Sequence, residues 1–242
     1  MKSPAIHVKD LGLRFGEHVV FDKVSFTLPA GKWVSLLGAS GVGKTSLIRI
    51  LAGLMPPTSG TITTSDGKPI AGRLAWMGQK DLLYPWLTIR NNIALSARLT
   101  GRRSDHQRVD ALLSQVGLEG YGDQRPAALS GGMRQRAALA RTLYDDKPIV
   151  MMDEPFSALD TITRTRIQAL AAELLHDRTV LLVTHDPMEA CRLSHQLLVL
   201  ASASGGIDDS HVLEGAPPRA PNDHYLLHSQ AQLLQQLVRA NA

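Results

Sequence analysis

The sequence has almost no cysteine, no long apolar run and no block of like charge. Cys191 is the only cysteine in 242 residues, which excludes an internal disulfide, fits a reducing compartment and indicates a small buried apolar group. No window approaches the roughly 18 apolar residues of a membrane-spanning helix, and the first residues lack the apolar part of a signal peptide. Lys and Arg exceed Asp and Glu by only 26 to 22, so no nucleic-acid surface is indicated. We expect a cytoplasmic chain that does not cross a membrane.

Two kinds of apolar pattern divide the chain. Between residues 4 and 30 apolar and polar residues alternate, which is typical of half-buried antiparallel strands. Short continuous apolar runs, typical of strands buried on both faces, follow at 32–38, 148–154, 179–185 and 196–201. Helical spacing of apolar residues separates them, at Leu47, Ile48, Leu51 and Leu54 and within 134–144 and 162–175. Strands that alternate with helices predict a mostly parallel α/β sheet.

The same patterns predict the parts of a single domain. No strand signal appears between about 80 and 145, so we expect a helical subdomain there, inserted between sheet strands. Beyond Ala201 the chain is rich in Gly, Pro and Ser, which predicts a loop with at most a weak hairpin. An amphipathic helix follows, with the apolar residues Leu226, Leu227, Leu233, Leu234, Leu237 and Val238. Within 1–242 the predicted parts are an antiparallel β part at 1–30, a core at 31–79 and 146–201, a helical subdomain at 80–145, and a C-terminal loop and helix at 202–242.

A stretch of small residues between a predicted strand and a predicted helix matches the P-loop motif G-x-x-x-x-G-K-[ST]. Its glycines let backbone N–H groups turn inward, and these donors and the helix N-terminus favour a polyanion. Lys44 would reach the β- and γ-phosphates of a nucleotide, and the Thr45 hydroxyl would bind Mg²⁺. A Gly-rich turn with a chance lysine is the alternative. The predicted nucleotide-binding residues are Gly38, Ala39, Ser40, Gly41, Val42, Gly43, Lys44, Thr45 and Ser46.

An acidic pair ends the apolar run at 148–154 and supplies the carboxylates that such a site needs. Asp153 is suited to hold Mg²⁺, and Glu154 is suited to polarise the attacking water. By itself an acidic pair after a strand is often only a solvated strand end. Because the chain also carries a P-loop, we interpret Asp153 as a metal residue and Glu154 as a catalytic residue.

The stretch LSGGM at 129–133 distinguishes among P-loop families. Ser130 followed by Gly131 and Gly132 predicts a helix N-terminus with exposed N–H donors, which is a second surface that can bind phosphate. A plain capped helix is the alternative. This arrangement resembles the ATP-binding cassette (ABC) ATPases, whose signature is LSGGQ and whose two subunits sandwich two ATP molecules head to tail. Met133 stands where that signature usually has Gln, and the residues expected to bind phosphate are intact.

The resemblance covers nearly the whole chain and implies roles for four more residues. It implies that Phe15 stacks on adenine, with a core Phe as the alternative, and that Asp160 in the stretch SALD joins the nucleotide site at a dimer interface. It also implies that Gln79 contacts Mg²⁺ or the attacking water and that His185 contacts the γ-phosphate, so both join the catalytic set. The implied fold is a P-loop NTPase with a mostly parallel sheet core, an N-terminal antiparallel β subdomain and an inserted helical subdomain; the implied ligands are ATP and Mg²⁺.

Separate ATPase chains of this kind resemble the motors of bacterial importers. The resemblance implies an ATP-sandwich homodimer on the inner face of the cell membrane that drives integral membrane permease subunits and indirectly serves an extracytoplasmic solute-binding protein. The stretch with Pro85 and Trp86 is the expected permease contact, and packing within the subdomain is the alternative. The same stretch, together with LSGGMRQR at 129–136, resembles the ATPases of importers of nitrate, of sulfonates or taurine, and of thiamine precursors.

Two other functions compete with the importer. A soluble ABC ATPase that acts on ribosomes or DNA would share the motifs, but this chain has one P-loop, a short spacing from Gln79 to Ser130 and a mild charge. A P-loop kinase for a small molecule would explain the P-loop and would leave LSGGM and SALD without a role. An ATP-dependent homodimer that needs no acceptor substrate distinguishes the importer ATPase from the kinase.

Overall fold

The computed structural model describes residues 2–200 and 206–240 and divides the chain into two compact units. The first consists of Met1–Leu74, Pro148–Asp153 and His176–Ala242, and the second consists of Ala75–Lys147 and Glu154–Leu175. The strands of the described ranges are β1 (Ile6–Phe15), β2 (His18–Leu28), β3 (Trp33–Gly38), β4 (Ser59–Thr64), β5 (Leu74–Met77), β6 (Ile149–Asp153), β7 (Thr179–Val183), β8 (Gln196–Leu200) and β9 (Ile207–Val212). The α-helices are α1 (Lys44–Leu51), α2 (Ile89–Ile93), α3 (Leu95–Leu99), α4 (His106–Gln115), α5 (Gly131–Tyr144), α6 (Thr161–Leu174), α7 (Pro187–Leu193) and α8 (His224–Ala240). None of the helices in these ranges has the length and apolar character needed to cross a bilayer.

The first unit begins with an antiparallel sheet of three strands in the order β2-β1-β4. Apolar residues of β1 and β2 point into the core as the alternation predicts, among them Ile6, Val8, Val24 and Leu28. β4 adds residues 59–64 to this sheet, although the sequence analysis placed them in the parallel core. The β4 sequence SGTITT has a single strongly apolar residue, so it offers no run that would predict a buried strand.

A second sheet contains the four parallel strands that the continuous apolar runs predict. All residues of β6 and β7 are buried, which explains why their sequences do not alternate. Within the first unit the strand order is β6-β7-β3-β8-β9. β9 pairs antiparallel with β8 in a stretch where a loop with at most a weak hairpin was predicted. Residues 201–205, at the start of that predicted loop, lie outside the described residues.

The C-terminal segment of the first unit packs on β8 through α7 and α8. Cys191 is fully buried there with Leu226 and Leu233 of α8, and burial raises the pKa of its thiol to about 11. The thiol therefore stays protonated, and the prediction of a buried apolar cysteine is confirmed. The buried Arg219 guanidinium donates to the carbonyl oxygens of Cys191 and Ser194 at 2.7 and 2.8 Å, which satisfies free carbonyls at the end of α7.

Two helices of the first unit differ from the predicted ones. α1 ends at Leu51; Leu54 continues the helical spacing in the sequence but is exposed, because Gly53 turns the chain with a φ of 73°. α7 was not predicted. Its signals were present, since Asp186 caps its first turn and Pro187 occupies the first helical position.

The second unit is helical apart from the end of β5, within the described part of the chain. α5 and α6 match the helical spacing predicted at 134–144 and 162–175, but the sequence analysis placed the second of these in the core at 146–201, whereas α6 lies in the second unit. Buried Asn92 orders the loop before α2: its side-chain oxygen accepts the N–H of Tyr84 at 2.7 Å, and its amide donates to the carbonyl oxygens of Tyr84, Leu87 and Thr88. These four hydrogen bonds fix the path of residues 84–88.

Candidate functional site

The predicted P-loop connects β3 to α1 in the first unit. Gly38 has a φ of 150°, and an added Cβ would lie 2.5 Å from the carbonyl oxygen of Leu200. Gly43 has a φ of 105°, and an added Cβ would lie 2.7 Å from Val20. Both positions therefore require glycine. Because Gly43 is the N-cap of α1 and has no side chain, it leaves the first N–H groups of that helix for other acceptors.

Lys44, Thr45 and Asp153 meet at the start of α1. The Lys44 ammonium is almost buried, and its Nζ donates to the carbonyl oxygens of Gly38 and Ala39 at 2.8 and 2.7 Å. Asp153 ends β6 and is 3% exposed. Thr45 Oγ1 donates to Asp153 Oδ2 at 3.0 Å. The loop carbonyls thus hold the Lys44 ammonium group. At the start of the same helix, the Thr45 hydroxyl oxygen lies next to an Asp153 carboxylate oxygen.

The Thr45 and Asp153 oxygens have the donor chemistry of a magnesium site. Mg²⁺ prefers oxygen ligands and is usually held by one or two protein side chains together with substrate phosphates and water. Residues 2–200 and 206–240 contain no group of three or more His, Cys, Asp or Glu that could hold a metal ion. The Thr45 hydroxyl and the Asp153 carboxylate therefore fit an ion that a nucleotide helps to bind.

Phe15 and His185 also lie in the first unit. Phe15 ends β1 and is 57% exposed, so it is not the core Phe that was the alternative. His185 follows β7 and is exposed, directly before Asp186, whose carboxylate accepts the N–H groups of Met188 and Glu189 at the start of α7. Both aromatic side chains can be reached from solvent.

Gln79 and Glu154 meet in the second unit. Gln79 Nε2 donates to Glu154 Oε2 at 3.3 Å, and Glu154 is partly buried. The backbone of Glu154 has a φ of 47°, a left-handed conformation that costs energy for a residue with a Cβ. Five other non-glycine residues of the described ranges also have a positive φ, so this conformation is compatible with a functional role for Glu154 and does not identify the residue by itself.

The signature stretch forms the N-terminus of α5, as predicted. Ser130 Oγ accepts the N–H of Met133 at 3.3 Å, and Gly131 and Gly132 are the first two residues of the helix. A Cβ on Gly132 would lie 3.4 Å from the carbonyl oxygen of Ala158. The signature stretch and the SALD stretch are therefore neighbours within this unit.

Asp160, the last residue of the SALD stretch, has a structural contact of its own. Its carboxylate caps α6 by accepting the N–H groups of Ile162 and Thr163 at 3.1 and 3.0 Å. The hydrogen bonds from Thr163 hold the pKa of this exposed carboxyl below its usual value. Asp160 thus stays ionised and fixes the end of the stretch that lies against Gly132.

An ion pair that the sequence analysis did not single out links the loop after β5 to the signature helix. Arg134 donates from Nε to Asp81 Oδ2 at 3.1 Å and from Nη1 to the carbonyl oxygen of Leu129 at 2.8 Å. Farther along α5, Arg141 donates to the carbonyl oxygens of Asp81 and Leu82. The opposite charges in QKDL and MRQR were the available signal, but a pairing between segments so far apart in sequence is not visible from either one.

The predicted site residues thus form two groups, one in each unit. The first unit holds Phe15, the P-loop from Gly38 to Ser46, Asp153 and His185. The second unit holds Gln79, Ser130, Gly131, Gly132, Glu154 and Asp160. Within the groups the structure brings Thr45 to Asp153 and Gln79 to Glu154.

Comparison with known proteins shows which family the chain belongs to. Residues 21–157, more than half of the chain, match the family model described as ABC transporter. The chain belongs to the ABC transporter family. Among its relatives is an "Uncharacterized ABC transporter ATP-binding protein" of Haemophilus influenzae, 44% identical over 96% of this chain and 98% of the relative. Another is the "Aliphatic sulfonates import ATP-binding protein SsuB 2" of Burkholderia cenocepacia, 39% identical over 93% of this chain and 84% of the relative.

Solved structures of ABC cassettes have the same fold. The "Dimeric Structure of MJ0796, a Bacterial ABC Transporter Cassette" has a TM-score of 0.77 and 28% identity, over 87% of this chain and 99% of that one. A post-hydrolysis state of the same cassette, bound to ADP and Pi, has a TM-score of 0.76 and 27% identity. The predictions of the ABC ATPase fold, of ATP as ligand and of ATP hydrolysis as the activity are confirmed. The Mg²⁺ ion and the individual site roles stay predictions.

Proposed function

We propose that this ABC chain is the ATP-hydrolysing subunit of a bacterial importer for aliphatic sulfonates, acting as a homodimer on the inner face of the membrane beside a separate permease. The P-loop geometry carries the ATPase part, above all the Thr45 hydroxyl 3.0 Å from the Asp153 carboxylate. The names of several relatives, at about 40% identity over most of the chain, support import. They favour the importer over an ATPase that acts on ribosomes or DNA.

The proposed nucleotide site starts from the P-loop. The Lys44 ammonium, now on two backbone carbonyls, would bind the β- and γ-phosphates, and the N–H groups at the start of α1 would donate to them. Thr45 and Asp153 would hold Mg²⁺, which when bound neutralises phosphate charge. Exposed Phe15 would stack on the adenine ring.

The proposed catalytic step depends on Glu154. Its carboxylate would accept a proton from the water that attacks the γ-phosphate. Gln79 already donates to this carboxylate and would keep it and the water in position, while exposed His185 would contact the γ-phosphate.

The homodimer is proposed because half of each site is contributed by the second unit. Ser130, Gly131 and Gly132 present the N-terminus of a 14-residue helix, which would bind the γ-phosphate held by the P-loop of the second copy. Asp160 would lie at the same interface. The dimeric ABC cassettes of the same fold support this arrangement. Loss of the γ-phosphate on hydrolysis would remove the contact and let the dimer open.

The proposed permease contact is the exposed apolar stretch of the second unit. Leu82, Tyr84 and Trp86 are 51%, 41% and 66% exposed, and the rings of Tyr84 and Trp86 meet edge to face at 5.2 Å. Asn92 fixes the backbone beneath them. A rigid, exposed aromatic pair is typical of an interface anchor. An extracytoplasmic binding protein would deliver solute to the permease and would not touch this chain.

Reconstitution tests the importer and its cargo together. The chain is assembled in proteoliposomes with a candidate permease and binding protein from the same organism, and solute uptake and ATP hydrolysis are measured with an alkanesulfonate, nitrate and a thiamine precursor. We expect uptake and stimulated hydrolysis with the alkanesulfonate alone. Stimulation by another solute would contradict the cargo, and a chain that hydrolyses ATP but binds no permease would contradict the importer. Trp86→Ala should weaken permease binding and leave the hydrolysis by the free chain unchanged.

A further inference from the structure

A basic segment lies between α3 and α4 in the second unit. The stretch from Arg98 to Arg108, here called the basic segment, contains four arginines and a single aspartate. Arg98, Arg102 and Arg103 are exposed, and none of the three forms an ion pair with a residue that the structure describes. Only Arg102 has a side-chain hydrogen bond among these residues, from Nε to Thr100 Oγ1.

The other charged residues of the basic segment have structural contacts. Asp105 accepts the N–H of Arg108 and so caps α4. The Arg108 guanidinium donates to the carbonyl oxygen of Leu143 and lies 5.8 Å from the ring centre of Tyr144. The fold therefore explains Asp105 and Arg108, whereas Arg98, Arg102 and Arg103 are exposed and form no ion pair with a described residue, although Arg102 donates to the Thr100 hydroxyl.

An exposed apolar side chain accompanies the three arginines. Leu99 follows Arg98 directly and is 76% exposed. Exposed leucine among arginines, in a segment without Phe, Tyr or Trp, differs from the surfaces that bind single-stranded nucleic acid, which pair basic residues with stacking aromatics. It is the pattern of a surface that meets anionic lipid, where charge attracts headgroups and an apolar side chain enters the boundary.

The end of α5 places the basic segment beside the exposed apolar stretch. Arg141 holds the carbonyl oxygen of Leu82 at 2.7 Å. One turn later, the hydroxyl of Tyr144 accepts the N–H of Asp105 at 3.0 Å, and Asp145 accepts the hydroxyl of Ser96. Both segments are therefore attached to the same end of one helix.

We propose that the basic segment binds the anionic phospholipid headgroups of the inner leaflet, with Leu99 at the headgroup boundary. The orientation rests on the proposed function: if the stretch with Leu82 and Trp86 meets a permease, the basic segment at the same end of α5 faces the surrounding lipid. Arg98, Arg102 and Arg103 supply the attraction. The contact holds the ATPase against the membrane independently of the permease.

Sedimentation with vesicles tests the lipid contact on the purified chain of 242 residues. The vesicles are phosphatidylcholine alone or phosphatidylcholine with phosphatidylglycerol, and the bound fraction is measured over a salt series. We expect binding to the anionic vesicles alone, declining with salt. The triple variant Arg98→Gln, Arg102→Gln, Arg103→Gln should bind roughly 100-fold more weakly, since each basic residue at an anionic surface contributes about fivefold. Leu99→Gln should weaken binding by a smaller factor.

Two matched variants test whether binding depends on the basic segment or on net charge, and whether the segment binds a headgroup surface or forms a specific protein pocket. Replacing Arg98, Arg102 and Arg103 by Lys should preserve vesicle binding, because a headgroup surface responds to charge and not to guanidinium geometry. Replacing three exposed lysines of the first unit by Gln, at Lys9, Lys23 and Lys68, removes the same charge and should preserve binding. Thermal unfolding and ATP hydrolysis in solution should be unchanged in all of these variants.

The proposal is overturned if the triple Gln variant binds anionic vesicles as tightly as the unmodified chain, if the lysine control loses as much binding, or if neutral vesicles bind equally well. Displacement by inorganic phosphate at constant ionic strength would indicate a phosphate pocket instead. Weaker binding to duplex DNA with unchanged vesicle binding would assign the segment to nucleic acid. These measurements use the free chain, so a failure of the lipid proposal can be distinguished from a failure of the proposed permease contact, which the Trp86→Ala variant tests.

Discussion

Among single side chains, Glu154 carries the most direct expectation about chemistry. Its carboxylate accepts the Gln79 amide at 3.3 Å, and its backbone is left-handed. We propose that it takes a proton from water and does not bind nucleotide, so Glu154→Gln should lower the rate of ATP hydrolysis about 10²-fold or more. ATP affinity and ATP-dependent dimerisation should be retained. Phosphate release, nucleotide titration and light scattering measure the three quantities.

The matched control for this variant is Glu173→Gln on α6 in the same unit. Glu173 is exposed and has no proposed catalytic role, so its amide variant should hydrolyse ATP at the normal rate. Hydrolysis at the normal rate by Glu154→Gln as well would remove Glu154 from the mechanism.

His195 makes the stability of the first unit depend on pH. Burial, with smaller repulsion from Lys32 and Arg219, lowers the pKa of its imidazole from 6.5 to about 4, and its Nδ1 accepts the N–H of Trp33 at 3.1 Å. The unfolded chain therefore takes up this proton at a higher pH than the folded chain does. The stabilisation is fully present above pH 6.5 and is lost as the pH falls to about 4.

The His195→Asn variant checks this expectation, because the Asn oxygen can still accept a hydrogen bond and does not titrate. Unfolding temperatures measured between pH 6.5 and about 4 should fall less steeply for the variant than for the unmodified chain. His228→Asn, at an exposed position of α8, should leave the slope unchanged. An NMR titration that gives His195 an ordinary pKa in the folded protein would refute the explanation.

Between elements, the ion pair of Asp81 with Arg134 couples the loop after β5 to α5. Both side chains are partly exposed, so the pair should contribute only about 0–1 kcal/mol to the free energy of unfolding. We expect a larger effect on transport than on stability, since Arg134 also donates to the carbonyl oxygen of Leu129, next to Ser130. We expect Asp81→Ala to reduce solute uptake per ATP hydrolysed in the reconstituted complex, with a small change in unfolding temperature.

A double-mutant cycle isolates this pair. The Asp81→Ala and Arg134→Ala effects on uptake per ATP should be non-additive, because either change breaks the same contact. The ion pair of Asp66 with Arg73 at 2.6 Å in the first unit is the control, and Asp66→Ala should leave uptake per ATP unchanged. Additive effects of the first two changes would show that the pair does not link the two elements.

For the whole chain, the sequence predicted what is local and missed what depends on distant pairing. The P-loop, the strand ends and the signature helix were predicted because their glycines, apolar runs and caps lie within a few residues of one another. β4 was not predicted as a strand, because its mostly polar sequence has no apolar run and its pairing with β1 joins residues far apart in sequence. For the β9 stretch a loop with at most a weak hairpin was predicted, and β9 forms an antiparallel pair with β8. The exposure of Phe15 and the bond from Gln79 to Glu154 likewise depend on residues brought together by folding.

The division of the site residues between two units leads to a prediction about the whole molecule. If each complete site joins the P-loop of one copy to the signature of the other, a Ser130→Arg chain and a Lys44→Ala chain are each inactive as homodimers. Their mixture forms heterodimers that contain one intact P-loop facing one intact signature, so ATP hydrolysis should reappear on mixing.

The control for this mixing experiment pairs Lys44→Ala with a chain that carries both Lys44→Ala and Ser130→Arg. That heterodimer has no intact P-loop and should stay inactive at every mixing ratio. Activity in the first mixture should follow the fraction of heterodimers, which tagged copies and native mass spectrometry can measure. If the first mixture hydrolyses no more ATP than either variant alone while heterodimers are present, the two copies do not share their sites, and Ser130 acts within its own chain or not at all.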